Sequence, residues 1–305
     1  MITVTSCASS ANLGPGYDSV SVALDAFHEV LDIDFSDDNS TETVNVLDAN
    51  NRKIKGTPQQ AVAEAMVKEY DPESRILLRS HGNIPWGSGL GSSGACSVAT
   101  ALAINELLGL QLKEDSIIHF AAIGEHYVTG SGHVDNAIAS LVGGLVIIES
   151  PEPLKWHRAT IHPDLKLAII NIHLNIEEKT KKSRAVVPKQ VPIDSAISNA
   201  RNLAMLSLGL KAFDIDLIKA GMNDAIVEPA RSAIYPFYSD LKEKLTAHGV
   251  LGVALSGSGP SVLCILEEDS VMANIKLAAS EVLNRYGIAF DLIETGVCGG
   301  AVIAR

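Results

Sequence analysis

Pro85-Trp-Gly-Ser-Gly-Leu-Gly-Ser-Ser-Gly-Ala95 is the stretch on which the reading of the fold turns. Its glycines let backbone amides approach a ligand with no Cβ in the way. The segment that follows is apolar and periodic to about Gly109, so a helix starting at Ser92–Ser93 would aim unpaired N–H groups and the positive end of its dipole at that ligand. Such a loop is a phosphate cradle. It is not a Walker loop, which requires a lysine after its last glycine. Gly89, Gly91 and Gly94 do satisfy GxGxxG, but a dinucleotide fingerprint must follow a strand directly, inside a βαβ unit. Here Pro85 and polar residues intervene after the strand candidate Arg75–Ser80. An ordinary glycine-rich turn is the plain alternative. The paired serines favour the cradle, because a hydroxyl at a helix N-terminus can bind Mg²⁺ beside phosphates.

Outward from the loop, the first half reads as strands at Ile2–Ser6, Val20–Phe35 and Thr43–Asp48. Thr57 caps a helix with Pro58 at its first position, running toward Tyr70. Asp115 caps another, reaching about His126; a small-residue loop, Gly130–His133, and a buried strand, Gly144–Glu149, follow. The Pro-containing break Ser150–Pro153 divides the chain into expected domains 1–150 and 151–305. The second half carries strands at Leu167–Ile172 and Leu251–Leu266, with helices near Ser195–Lys211, Tyr238–His248 and Ser270–Tyr286. The expected class is α+β rather than a doubly wound sheet.

One carboxylate falls on an apolar face. In the helix from Asp115, the residues Ile117, Ile118, Ala121 and Ala122 form the stripe, and Glu125 continues it. A carboxylate placed there must be paired or metal-bound, because burying it alone is costly. A structural ion pair and a magnesium ligand are the two readings; Mg²⁺ is commonly held by one or two carboxylates plus phosphates.

The 305 residues make about two domains at ~150 residues each. With 24 basic and 36 acidic residues the formal net charge is −12, and no basic stripe offers itself to nucleic acid or to an anionic membrane surface. Apolar runs such as Leu141–Ile148 fall well short of the ~20 residues that span a bilayer. No secretory signal is visible at the N-terminus. Cys7, Cys96, Cys264 and Cys298 are scattered with no CxxC pair, the pattern of reduced, buried thiols in a cytoplasmic protein.

Ser9-Ser-Ala-Asn12-Leu-Gly-Pro-Gly-Tyr17-Asp18 resembles the N-terminal signature of the homoserine kinases, members of the GHMP small-molecule kinases. Gly89-Leu-Gly-Ser-Ser93 resembles their ATP loop, and Gly124-Glu125 with His133-Val-Asp135-Asn136 their second block. Thr180…Arg184 and Glu228-Pro-Ala-Arg231 resemble later substrate segments; Leu255-Ser-Gly257-Ser-Gly-Pro260-Ser is similar to the C-terminal glycine motif of the superfamily. The blocks occur in order along nearly the whole chain. Departures are Cys7-Ala8 for the common Pro-Ala, Tyr17 for phenylalanine, and Gly94 for alanine.

The resemblance implies a two-domain GHMP kinase fold: an N-terminal ribosomal-protein-S5-domain-2-like α+β domain with a left-handed βαβ feature, and a C-terminal ferredoxin-like domain, with the active site between. It implies ATP, Mg²⁺, a homodimer, and transfer of the γ-phosphoryl to the side-chain hydroxyl of L-homoserine in threonine biosynthesis. Pro85, Gly87, Gly89, Leu90, Gly91, Ser92, Ser93, Gly94 and Ala95 would then contact ATP, with Ser93 and Glu125 holding Mg²⁺. Asn12 and Asp18 would engage the substrate hydroxyl; His133, Asp135, Asn136 and Gly257 would line the pocket; Thr180 would sit near the transferred phosphoryl. Arg184 and Arg231 would clamp the substrate carboxylate, for which a guanidinium is matched bidentately. The alternatives are a GHMP kinase acting on a mevalonate-type hydroxy acid and a nicotinamide-dependent oxidoreductase built on the GxGxxG letters.

Overall fold

The computed structural model describes residues 1–36, 42–130, 132–267 and 271–304. Two strands organise the first unit. β1 (Ile2–Asn12) and β2 (Gly16–Phe35) form a long antiparallel hairpin. β2 is long enough to carry a different neighbour at each end: β5 (Ile76–Ser80) on Leu31–Phe35, and β6 (Leu145–Pro151) on Val20–Val22. β3 (Val44–Leu47) pairs parallel to β5 across helix α1 (Pro58–Tyr70), a βαβ unit, and β4 (Lys53–Ile54) closes that edge. Thr57 caps α1 as its sequence requires, its hydroxyl accepting from the Gln60 amide at 3.2 Å, with Pro58 next.

Helices α2 (Ser92–Leu107), α3 (Glu114–Thr129) and α4 (Asp135–Val142) complete this unit. α3 begins at Glu114 with Lys113, not Asp115, at the cap; both acids lie in the first turn, where the helix dipole favours negative charge. Ser131, in the loop expected at Gly130–His133, lies outside the described residues.

The expected break at Ser150–Pro153 is the turn of a hairpin. β7 (Leu154–Ala159) pairs with β6 from Leu145↔Ala159 to Pro151↔Leu154, so the first sheet runs on to Ala159. It also takes back the chain's far end, since β12 (Val302–Ala304) pairs with β1. The sheets therefore place the passage between units after Ala159 rather than at 150/151; a proline-containing hairpin turn and a linker share a composition.

The second sheet has the order β11-β8-β10-β9 and is wholly antiparallel, from β8 (Lys166–Ile172), β9 (Gly252–Leu255), β10 (Val262–Leu266) and β11 (Phe290–Thr295). With α9 (Tyr238–Ala247) and α10 (Met272–Leu283) packed on it through Leu241, Leu245, Ile275 and Val282, this is the β-α-β-β-α-β ferredoxin-like arrangement. Ser270, expected to begin α10, lies outside the described residues. The single strand read over Leu251–Leu266 is two strands, with the glycine motif as the loop between them. Alternating apolar residues continue on both sides of the motif, which hides the turn from a periodicity count.

The units share one core. Val20, Leu24 and Leu145 of the first sheet pack with Leu167, Ile169 and Leu263 of the second, and with Leu90 of the glycine-rich loop. That contact sets the loops 85–91 and 256–261 against each other.

Candidate active site

The glycine-rich loop is fixed by three neighbours. The Ser9 amide donates to the Leu90 carbonyl at 3.1 Å, the Ser261 amide to Ser88 at 3.1 Å, and the Ser256 hydroxyl to Gly89 at 2.8 Å. Leu90 lines the cavity with its backbone while its side chain is buried in the shared core; truncating a buried leucine costs ~2–5 kcal/mol. Gly89 (φ +90°) cannot be replaced without strain, for a Cβ there would strike the Ser256 and Gly259 carbonyls. Gly91 (φ +68°) stands at the cap of α2 where a Cβ would strike the Ser9 hydroxyl. No side chain caps α2, so its first amides are left to a ligand.

The loop opens on a cavity of about 700 Å³ lined from both units. Pro85, Gly87, Gly89, Leu90, Gly91, Ser92 and Ser93 line it; Gly94 and Ala95 do not. Gly94 is the seat of α4, with the Ala137 amide 3.0 Å from where a Cβ would stand, and Ala95 is fully buried in the core. A residue one turn into a helix faces its packing partner, whatever lies at the helix end.

Glu125 stands at the cavity's acidic end. It is 6% exposed, and its Oε1 has no hydrogen-bond partner among the described residues. Burial pushes its carboxyl up to about 7 against the opposing influence of the Ser93 hydroxyl, with the Asp135 charge adding to the rise. Asp135, at the first position of α4, is also raised, chiefly by burial and then by Asp18. The apolar stripe of α3 places Glu125 as its spacing demands.

The same cavity carries the polar groups for an acceptor. Asn12 (φ +77°) and Asp18 (φ +52°) bound the turn joining β1 to β2. The Asn12 amide bonds internally: Nδ2 donates to the Gly257 carbonyl at 2.9 Å and Oδ1 accepts from the Asp18 amide at 3.1 Å. It therefore positions Asp18, and with one N–H left over it still lines the cavity. Arg184, on α5 (Lys179–Ala185), bonds both Asp18 oxygens at 3.2 and 3.3 Å and the Tyr17 hydroxyl at 3.2 Å, while its buried Nε has no partner among the described residues. His133 approaches Asp18 at 3.7 Å.

Arg231, on the short α8 (Val227–Arg231), is different. It is 3% exposed, bonds the carbonyls of Ser183 at 3.3 Å and Gly257 at 2.7 Å, lies over the Tyr17 ring, and has no carboxylate partner among the described residues. Asn136 holds the Ser9 hydroxyl at 2.9 Å, and Thr180 lines the cavity from α5.

Among the lining residues that the sequence reading did not assign to the site are Trp86, Ser258 and Lys179. Lys179 is flanked by the charged residues Glu177, Glu178, Lys181 and Lys182. It and Ser183 are the buried residues of α5, and their spacing of four is the signal that would have found them.

Cys7 and Cys298 are joined as a disulfide, Cα–Cα 6.4 Å, while Cys96 and Cys264 are free and buried. The expectation of four reduced thiols is corrected. The 291-residue separation hides a proximity that arises because β12 returns to β1. His28 lies beside this pair, but with the sulfurs bonded to each other the group offers no thiolates.

The nicotinamide reading fails on topology, because β5 ends at Ser80 and α2 starts only at Ser92. No helix among the described residues is long and apolar enough to cross a membrane.

Comparison with known proteins identifies the family. Residues 54–144 match the GHMP kinases N terminal domain and residues 207–285 the GHMP kinases C terminal domain. The chain is 36% identical to the homoserine kinase of Thermoplasma acidophilum, covering 99% of this chain and 96% of that one. It is 35% identical to the homoserine kinase of Sulfurisphaera tokodaii, covering 99% of each. A crystal structure of homoserine kinase from Cytophaga hutchinsonii superposes with a TM-score of 0.89 at 29% identity, covering 99% of this chain and 97% of that one. Related over its whole length to such relatives, the chain belongs to the homoserine kinase family of the GHMP kinases.

Proposed function

We propose that this chain transfers the γ-phosphoryl group of ATP to the side-chain hydroxyl of L-homoserine, a step of threonine biosynthesis. One observation carries the reading: a single cavity joins a glycine-bounded helix N-terminus, a buried carboxylate with an unpartnered oxygen, and a buried arginine that no carboxylate has claimed.

Phosphoryl transfer asks a protein mainly for positioning and charge neutralisation. The amides of Gly89–Ser93 would hold the ATP phosphates. The orphaned Glu125 oxygen and the Ser93 hydroxyl suit Mg²⁺, an oxygen-seeking ion that keeps phosphates and water among its ligands. Mg²⁺ bound there would supply positive charge that lowers the cost of charge developing at the leaving group. Arg231 binds the acceptor carboxylate. Asp18, oriented by Asn12 and Arg184, accepts a hydrogen bond from the acceptor hydroxyl and fixes its direction of attack. Asp135, Asn136 and His133 complete the acceptor's polar surroundings, and Thr180 faces the transferred group from α5. In this reading the hydroxyl proton leaves with the phosphoryl oxygens, and Asp18, held by Arg184 through both oxygens, orients the hydroxyl.

The family resemblance also supports a homodimer in the cytoplasm; the Cys7–Cys298 bond is the feature that stands against a reducing compartment. Sedimentation would measure the former. The substrate is tested by ADP release with Mg-ATP and L-homoserine, mevalonate, shikimate or no acceptor. Turnover with homoserine alone supports the reading. Turnover with mevalonate alone would retain the cradle and replace the acceptor.

A further inference from the structure

Lys179, at the first position of α5, is a buried cation of the cavity to which the proposed reaction has so far given no task. It is 8% exposed and makes no ion pair among the described residues. Its ammonium donates to the Gly259 carbonyl, which uses one of three hydrogens. The charge beside it is Arg231, another cation; burial is the larger effect, and together they push Lys179 down to about 7. A buried cation next to a second cation, with no carboxylate for either, is an unfavourable arrangement until an anion completes it.

The oxygen that Lys179 holds gives the place of that anion. The Gly259 carbonyl is one of the two that a Cβ on Gly89 would strike, so the ammonium and the floor of the glycine cradle meet at the same atom. Three successive carbonyls of the loop between β9 and β10 are held in this way. Asn12 and Arg231 take Gly257, Ser183 and Tyr235 take Ser258, and Lys179 takes Gly259. Arg231 marks the end of the row nearest Asn12 and the acceptor side. Lys179 holds the carbonyl at the other end, which lies against Gly89 of the cradle.

We propose that Lys179 binds the transferring phosphoryl group of ATP, giving its two remaining hydrogens to phosphate oxygens. It rests on the kinase reading above. In the step, the bond between the γ-phosphorus and the bridging oxygen breaks with its electron pair leaving on ADP. The acceptor oxygen forms the new P–O bond, and its proton is released by way of the phosphoryl oxygens. Lys179 stays protonated throughout and neutralises charge.

Charge can be separated from the hold on the loop. Lys179→Gln keeps an N–H donor for Gly259 without the charge, and Lys179→Arg keeps the charge. The first readout is calorimetric affinity for Mg-ADP and for a non-hydrolysable Mg-ATP analogue, with no acceptor present. Lys179→Gln is expected to weaken the ATP analogue by ~10-fold or more and ADP by under ~3-fold, because only the former carries the group that Lys179 touches. The second readout is kinetic: kcat falls by roughly 10²–10³ with the homoserine KM within ~3-fold. Lys179→Arg recovers part of both, and the ligand-free Tm of Lys179→Gln does not fall below that of the unmodified protein.

Equal weakening of both nucleotides, a kcat within ~3-fold, or a lowered ligand-free Tm with the ATP-to-ADP ratio unchanged would each overturn the proposal and leave Lys179 as a clamp on the loop. The nucleotide ratio needs no acceptor, so it decides Lys179 even if the unmodified protein fails to phosphorylate homoserine; that failure would overturn the substrate reading alone.

Discussion

Arg184 holds Asp18 through two hydrogen bonds of 3.2 and 3.3 Å, joining α5 of the second unit to the turn between β1 and β2 in the first. Both arginines of the cavity are thereby given different work. Arg184 already has its carboxylate; Arg231, bonded only to carbonyls and stacked on Tyr17, does not.

Their substitutions should accordingly separate in steady-state kinetics. Arg231→Ala is expected chiefly to raise the homoserine KM, since a carboxylate contact is equal in ground and transition states. Arg184→Ala should lower kcat by roughly 10–10² through a disordered Asp18, with the KM within ~3-fold. The reverse assignment of effects would make Arg184 the carboxylate clamp.

Glu125 is buried with one oxygen unpartnered. Glu125→Gln keeps its shape and removes its charge, and kcat should fall by roughly 10²–10³, as on losing one electrostatic stabiliser. A drop under ~3-fold would remove Glu125 from the metal site.

Glu29 gives a prediction of stability that touches none of the chemistry. It is 4% exposed in β2, accepts from Ser80 at 2.6 Å, and burial holds its carboxyl above the usual range despite the hydrogen bonds from Ser80, Cys96 and Gln59. A group whose folded pKa is raised favours the folded state while protonated. That contribution is present below its unfolded pKa and is lost as pH rises through the folded one. Glu29→Gln should therefore raise Tm near pH 8, and the gain should shrink toward about pH 4, where both forms are neutral. A Tm gain that is independent of pH would contradict it.

Cys7 and Cys298 being bonded, the protein denatured without reductant should expose two reactive thiols, Cys96 and Cys264, and after reduction four. Reduction should also lower Tm, because the bond closes a loop of nearly the whole chain. Four thiols before reduction would show that the pair is open in solution.

The legible parts of the fold were those with strong local signals. The cap at Thr57, the cradle after β5 and the stripe carrying Glu125 all follow from spacing and turn chemistry. What stayed hidden is long-range or short. The return of β12 to β1, the bond between Cys7 and Cys298, and the placing of β7 in the first sheet have no local trace. The helices α5 and α8 have seven and five residues, too few for a periodicity to declare itself. Partner choice within the site was equally hidden. The residue types of Asn12, Arg184 and Arg231 suit substrate contacts, yet only the folded chain shows that Asn12 and Arg184 both bond Asp18 while Arg231 has no carboxylate partner among the described residues.

The most direct test is phosphorus NMR of the protein with Mg-ATP and L-homoserine, followed as ATP is consumed. The site described here predicts one new phosphomonoester for each ADP formed, with inorganic phosphate staying at the level of the acceptor-free control. ADP accompanied only by inorganic phosphate, or no ADP at all from folded protein, would contradict phosphoryl transfer to homoserine.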